Sequence, residues 1–201
     1  MKSNYILPKQ LTQPILDWIL VEENRTKYIT DEPEHGGNVR ARDYLHIIDE
    51  DLAKAKFPYV QLDRLATEIL EFYELPWDMQ IEPNYGFLIC YSTQGHQVHK
   101  HNDANFNVEG PDESLNEDLP HDYLGDVVHV RFNTLISKPH IGGNPIIEEV
   151  EYKVEENEVW RCIAGIDEHY TTKVALDKPR VLLSFGYFIP KDIVNEWKGK
   201  E

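Results

Sequence analysis

The chain has 201 residues, enough for one domain with a full-sized core. Its 36 acidic side chains outnumber 20 basic ones, and the formal charge of −16 argues against nucleic acid and anionic membrane surfaces as partners, since both need clustered Lys and Arg. A hydrophobic fraction of 41%, with 4 Trp, 11 Tyr and 7 Phe spread along the chain, is that of a globular protein, and the apolar runs are far too short to span a bilayer.

The opening residues, Met1 to Pro8, lack the apolar run of a secretory signal. The two cysteines, Cys90 and Cys162, sit in apolar, strand-like runs and read as buried thiols in a reducing compartment, so a cytoplasmic protein is the expectation. Thr12 can cap a helix with Pro14 in its first turn, followed by an apolar stripe of Ile15, Leu16, Ile19 and Leu20 and an end near Asn24. Residues 31–38 carry turn chemistry, and residues 39–49 are compatible with strand or loop. Leu62, Leu65, Ala66, Ile69, Phe72 and Tyr73 recur at helical spacing until Pro76, which marks a second helix that packs on a sheet.

From residue 80 onward the texture changes to short β-rich runs at Tyr85–Tyr91, Val98–Asp103, Val127–Ile136, Ile146–Val154, Val159–Ala164, His169–Val174 and Arg180–Ile189. Such a series, punctuated by Gly, Pro and Asn, suggests a sandwich, barrel or jelly roll. With no repeat and no linker-like stretch, residues 1–201 are expected to form a single domain: 1–79 as helical support and 80–190 as the β core. Residues 104–126 form one long polar, acidic connection, of the length that serves as a lid or binding loop or as an unstructured insertion.

The chemistry concentrates around Gln97-Val-His-Lys-His-Asn-Asp103. On an extended strand, side chains at i and i+2 leave the same face, so His101 and Asp103 can aim a nitrogen and an oxygen at one point. A third ligand from elsewhere would complete the two-histidine, one-carboxylate facial set of non-haem Fe(II) oxygenases. His169 is available, and Arg180 follows after a turn around Asp177-Lys178-Pro179. Alternation puts Arg180 on one face with Leu182, Ser184 and Gly186, and Val181, Leu183, Phe185 and Tyr187 on the other. An arginine lining a small barrel needs an anion, because an unpaired buried charge is costly, and its fork fits a carboxylate. A dicarboxylate would meet that need, with the Ser184 hydroxyl as a further donor.

The array His101-Asn-Asp103, then Gly142-Gly143, then His169 and Arg180 resembles the Fe(II)- and 2-oxoglutarate-dependent oxygenases over about residues 80–190. The resemblance implies a mainly β fold with flanking α: a double-stranded β-helix (jelly roll) with N-terminal helices on its major sheet. It implies Fe(II) held by the catalytic residues His101, Asp103 and His169, with 2-oxoglutarate and O2 as co-substrates. It also implies Arg180 on the distal carboxylate of 2-oxoglutarate, Tyr91 helping to seat it, and Asn133 facing the same site. For substrate, Arg131 shares a strand face with Asn133 and could take a carboxylate or form an internal salt bridge; Asn105 and His99 are further candidates. Asn157 and Glu158 stand where related chains often have a glycine-containing turn. An aspartate at position 103, rather than a small residue, implies hydroxylation or a related oxidation and not halogenation. Arginine at 180 departs from the lysine usual in prolyl hydroxylases. The substrate would be an amino acid, a peptidyl side chain or a small metabolite; oligomeric state stays open.

Two other readings remain at this stage. A cupin-type metalloprotein would use His99, His101 and His169, although Asn105 and Phe106 stand where a cupin places a glutamate. A non-catalytic jelly-roll binding protein would leave these histidines as ordinary packed or solvated side chains. A separate metal site formed by His96, His99, His121, His129 and His140 is disfavoured by their scatter over different strands and loops, which suits solvent-exposed or packing roles for most of them.

Overall fold

The computed structural model describes residues 2–28, 30–32, 36–42, 50–82, 86–103, 126–175 and 178–199. Among these residues ten strands and five helices run in the order β1 (Lys2–Ile6), α1 (Lys9–Leu20), α2 (Glu22–Tyr28), β2 (Thr30–Glu32), β3 (Gly36–Arg42), α3 (Glu50–Lys54), α4 (Tyr59–Phe72), β4 (Phe87–Ser92), β5 (Val127–Ser137), β6 (Pro145–Ile147), β7 (Val150–Glu151), β8 (Glu158–Cys162), β9 (His169–Thr171), β10 (Arg180–Pro190) and α5 (Lys191–Lys198).

Seven strands form an antiparallel sheet in the order β1-β8-β5-β10-β4-β3-β2; β7-β6-β9 form a smaller antiparallel sheet. The long central pair β5 and β10 sets the frame, because facing partners in a ladder share a sheet face. On the outer face, Val130, Phe132, Val181, Leu183, Phe185 and Tyr187 join Phe87 and Ile89 of β4 against the helices. Helix α1 presents Ile15, Trp18 and Ile19, and α4 presents Leu62, Leu65 and Ile69; each such fully buried side chain contributes about 1.5–3 kcal/mol. On the inner face, Leu135, Trp160, Cys162, Leu182 and Ile147 of β6 form a second apolar cluster between the two sheets. The polar residues Arg131, Asn133, Ser184 and Arg180 alternate with that inner set.

The helical boundaries differ from expectation. Helix α1 begins at Lys9 behind Pro8, so Pro14 lies inside the helix, and extended Val21 separates α1 from α2. The single run expected over Ile146–Val154 is instead the hairpin β6–β7, turned at Glu148 and Glu149 with both φ angles positive. Of Val98–Asp103, His101 alone bridges to a strand, and β1 and α5 add an edge strand and a final helix that the pattern did not announce. Tyr85, Asp177, Asn105 and the connection 104–126, apart from Asp126, lie outside the described residues. No helix among the described residues is long and apolar enough to cross a membrane.

Candidate metal centre and anion pocket

His101 and His169 exchange both backbone hydrogen bonds, His101 N–H to His169 C=O at 3.1 Å and His169 N–H to His101 C=O at 2.8 Å. Such a pair sets its two side chains next to each other on one face, and the imidazole centroids are 4.4 Å apart. Asp103 follows two residues on, pinned by its own N–H to Ala164 C=O at 2.8 Å and by the Asn102 amide donating to Ile166 C=O at 2.7 Å. Asp103 Oδ1 then lies 3.3 Å from His101 Nε2 and 3.5 Å from His169 Nε2.

Both histidines are oriented from behind. His101 Nδ1–H donates to the His99 carbonyl at 2.6 Å and His169 Nδ1–H to the Asp167 carbonyl at 3.0 Å. A carbonyl can only accept, so each Nδ1 carries its proton and the Nε2 facing Asp103 is the nitrogen left for a metal, which would displace any proton held there. His101, Asp103 and His169 are the one group of potential ligands that converges among the described residues. His99 is exposed and contributes its carbonyl, so the cupin set of His99, His101 and His169 is not what comes together. The His101 side chain is 43% exposed, leaving the centre open on that side.

The electrostatics favour a cation at this point. Burial opposes a charged Asp103, but the Arg131 guanidinium, with His101 and His169 beside the carboxyl, holds its pKa well below the usual range. Burial also opposes a protonated His169, yet Asp103 and the Cys162 thiol raise that ring to about 11. Burial and then Arg131 push His129 down to about 4, so this fully buried ring is neutral near pH 7.

Arg180 occupies the inner face near the Gly142–Gly143 turn. It is 2% exposed, donates from Nε to the Gly143 carbonyl at 2.8 Å, and its NH1 has no hydrogen-bond partner. Burial lowers its pKa to about 10. The turn is built for this approach: Gly142 and Gly143 have φ of +80° and +72°, and a Cβ at Gly142 would stand 1.8 Å from the Lys173 carbonyl. The departure noted at Asn157 is absorbed in the same way, since Asn tolerates the left-handed φ of 66° found there.

The expectation for Tyr91 needs correction, and the two alternatives for Arg131 are decided. Tyr91 pairs with Val181 on the outer face, packs with the helix-side core and lies under the Arg25 guanidinium at 5.0 Å, so it cannot seat a ligand of the inner face; Cys90, opposite Leu182, looks inward instead. Arg131 is committed internally: Nε to Asp103 Oδ2 at 2.7 Å, NH1 to Ser184 Oγ at 3.1 Å and NH2 to Glu82 Oε2 at 3.2 Å. The salt-bridge alternative for Arg131 is the one the geometry matches, and Ser184 Oγ faces Arg131. Asn133 lies on the inner face, opposite Ser184 and Trp160. Sequence reasoning missed Glu82, a fully buried carboxylate, and placed His129 among packing residues, although its Nδ1 is 3.6 Å from Asp103 Oδ2.

No protein-family model matches the chain, and no curated protein matches it in sequence. Solved structures do match in fold. A Pseudomonas putida prolyl-4-hydroxylase is 14% identical with a TM-score of 0.51, over 94% of this chain and 91% of that one. The collagen prolyl hydroxylase of Paramecium Bursaria Chlorella virus-1, solved as a 2OG complex, is 8% identical with a TM-score of 0.54, over 94% and 93%. AviO1 from Streptomyces viridochromogenes is 13% identical with a TM-score of 0.54, over 92% and 87%. The chain therefore shares a fold, over nearly its whole length, with two prolyl hydroxylases and AviO1.

Proposed function

We propose that the chain is an Fe(II)- and 2-oxoglutarate-dependent oxygenase, one double-stranded β-helix domain over residues 1–201. It hydroxylates an unactivated C–H of an amino acid, a peptidyl side chain or a small metabolite. The observation that carries the reading is Arg180: a buried guanidinium with one nitrogen unpaired, on the same inner sheet face that supports the His101–Asp103–His169 group. A metal centre alone would not require it. A metal centre served by an anionic co-substrate does, because the anion compensates a charge otherwise stranded away from water.

The donor set fits Fe(II): two imidazole Nε2 atoms, from which a metal would displace any proton, and one carboxylate oxygen. When bound, Fe(II) with 2-oxoglutarate and O2 supplies the oxidising chemistry, in which R–H, 2-oxoglutarate and O2 become R–OH, succinate and CO2. The protein's part is positioning. His101, Asp103 and His169 hold the metal; the Gly143 carbonyl fixes Arg180 Nε so that NH1 is presented to the distal carboxylate of 2-oxoglutarate. Buried Leu135, Trp160 and Leu182 make the inner face around Arg180 apolar, and Asn133 is a polar group on that same face. The exposed side of His101 is where substrate would enter. The protein is proposed to act in the cytoplasm on small-molecule or peptidyl substrates, without nucleic acid or membrane partners; its two cysteines are free thiols.

The test is succinate formation by protein loaded anaerobically with Fe(II) and then given 2-oxoglutarate, O2 and candidate substrates. Turnover that disappears in Asp103→Ala is expected. No succinate under any substrate, or undiminished turnover in Asp103→Ala, would overturn the reading.

A further inference from the structure

We infer that Arg131, backed by Glu82, is a positioning residue for the metal centre, a clamp that makes Asp103 offer one carboxylate oxygen and withhold the other. The inference rests on the metal-site reading above and adds a role for a group that touches neither co-substrate nor metal. Asp103 Oδ1 faces the two Nε2 atoms, whereas Oδ2 accepts from Arg131 Nε at 2.7 Å, a charge-assisted bond. Rotating the carboxylate to present both oxygens would break that bond in a buried setting. One metal could then lose to the second oxygen a position that co-substrate or O2 needs.

The clamp is itself fixed on every side. Arg131 NH2 meets Glu82 and NH1 donates to Ser184 Oγ, so three nitrogens point to three different segments. Glu82 is fully buried, its N–H donates to Gly186 C=O at 2.9 Å, and its Oε2 accepts from Gly86 N–H at 3.2 Å. Gly186, paired with Arg131 across the ladder, clears the space between them: a Cβ there would stand 3.2 Å from Arg131 NH1 and 3.1 Å from Glu82 Cβ. Buried His129, two residues before Arg131 on the same face of β5, brings Nδ1 to 3.6 Å from Oδ2. One guanidinium between two carboxylates leaves a net negative charge, suited to a cation at the open oxygen.

The experiment is Co(II) titration of metal-free protein, read by affinity and by the visible ligand-field spectrum, with no turnover required. Wild type should bind one Co(II), and His169→Ala should not. Arg131→Lys keeps the charge but lacks the Nε donor; it should bind about 10–100-fold more weakly with altered bands, the cost typical of losing a group behind a metal ligand. The paired change Arg131→Met with Glu82→Met removes both buried charges together and should show the same loss with unchanged far-UV dichroism. If that pair does not fold, Arg131→Lys decides alone. Wild-type affinity and spectrum in either folded variant overturn the clamp while leaving the metal site standing. Failure of the wild type to bind Co(II) at all removes the site, and the clamp with it.

Discussion

Two guanidiniums, Arg131 and Arg180, lie buried on the same inner face of the large sheet, and they are opposites. Arg131 is matched within the chain by Asp103, Glu82 and the Ser184 hydroxyl. Arg180 has one backbone carbonyl and an unpaired NH1. Both charges are buried, so the difference lies in compensation: the first is answered by the fold, and the second would be answered by the anionic co-substrate proposed above. A buried charge with its own counter-ions reports on architecture, and one without reports on a ligand.

Stability measurements on metal-free protein should separate the pair by sign. Arg131→Met strands Glu82 and Asp103 without their cation and should destabilise by about 3–5 kcal/mol in urea unfolding. Arg180→Met removes a charge that the apoprotein leaves uncompensated, and should stabilise it while weakening 2-oxoglutarate binding. Equal destabilisation by both would mean that Arg180 is as well paired as Arg131.

The next largest effect is in pH. Folded His129 titrates at about 4, against an ordinary value near 6.5. Between those limits the unfolded ring holds a proton that the folded ring refuses, so stability rises with pH and acidification from 6.5 to 4 withdraws up to about 3 kcal/mol. Asp103, whose pKa is depressed, contributes stability that is present above its ordinary value of 3.8 and lost as pH falls through its folded value, below the His129 window. His129→Leu should therefore flatten the slope of metal-free protein between pH 6.5 and 4; an unchanged slope would remove His129 from the corner around Arg131.

The smallest effect, about 1–3 kcal/mol, is expected from Gly143→Ala, which forces a side chain into a left-handed turn and against Arg180 Cδ at 3.0 Å. It should also weaken 2-oxoglutarate binding by moving the Gly143 carbonyl that seats Arg180. Calorimetry with Mn(II)-loaded protein would show it; unaltered binding would make the turn a scaffold element only.

The two arginines also mark how much was legible in the sequence. His101 and Asp103 were readable from their spacing of two within one segment and the face of Arg180 from alternation along β10, whereas His169 as third ligand came from the resemblance in motif order. Tyr91 was chosen from its order before the metal motif, with no face assigned; β4 is apolar on both sides, so nothing local tells Tyr91 from Cys90, and only the register against Val181 and Leu182 does. Glu82 was invisible for another reason: its partner is 49 positions away, and one carboxylate among 36 acidic residues carries no signal. The Arg131 corner is a long-range pairing, legible only in three dimensions. Edge strand β1 was missed likewise, since its five residues gain their meaning by pairing with β8.

The most direct test of the central claim is calorimetric titration of 2-oxoglutarate, without O2, into Mn(II)-loaded wild type and Arg180→Met. The account predicts saturable one-to-one binding by the wild type and a loss of about 10–100-fold in affinity in the variant, with Mn(II) retained, as expected for one charge-assisted contact. Equal affinity in the two proteins, or no binding by the wild type, would contradict it.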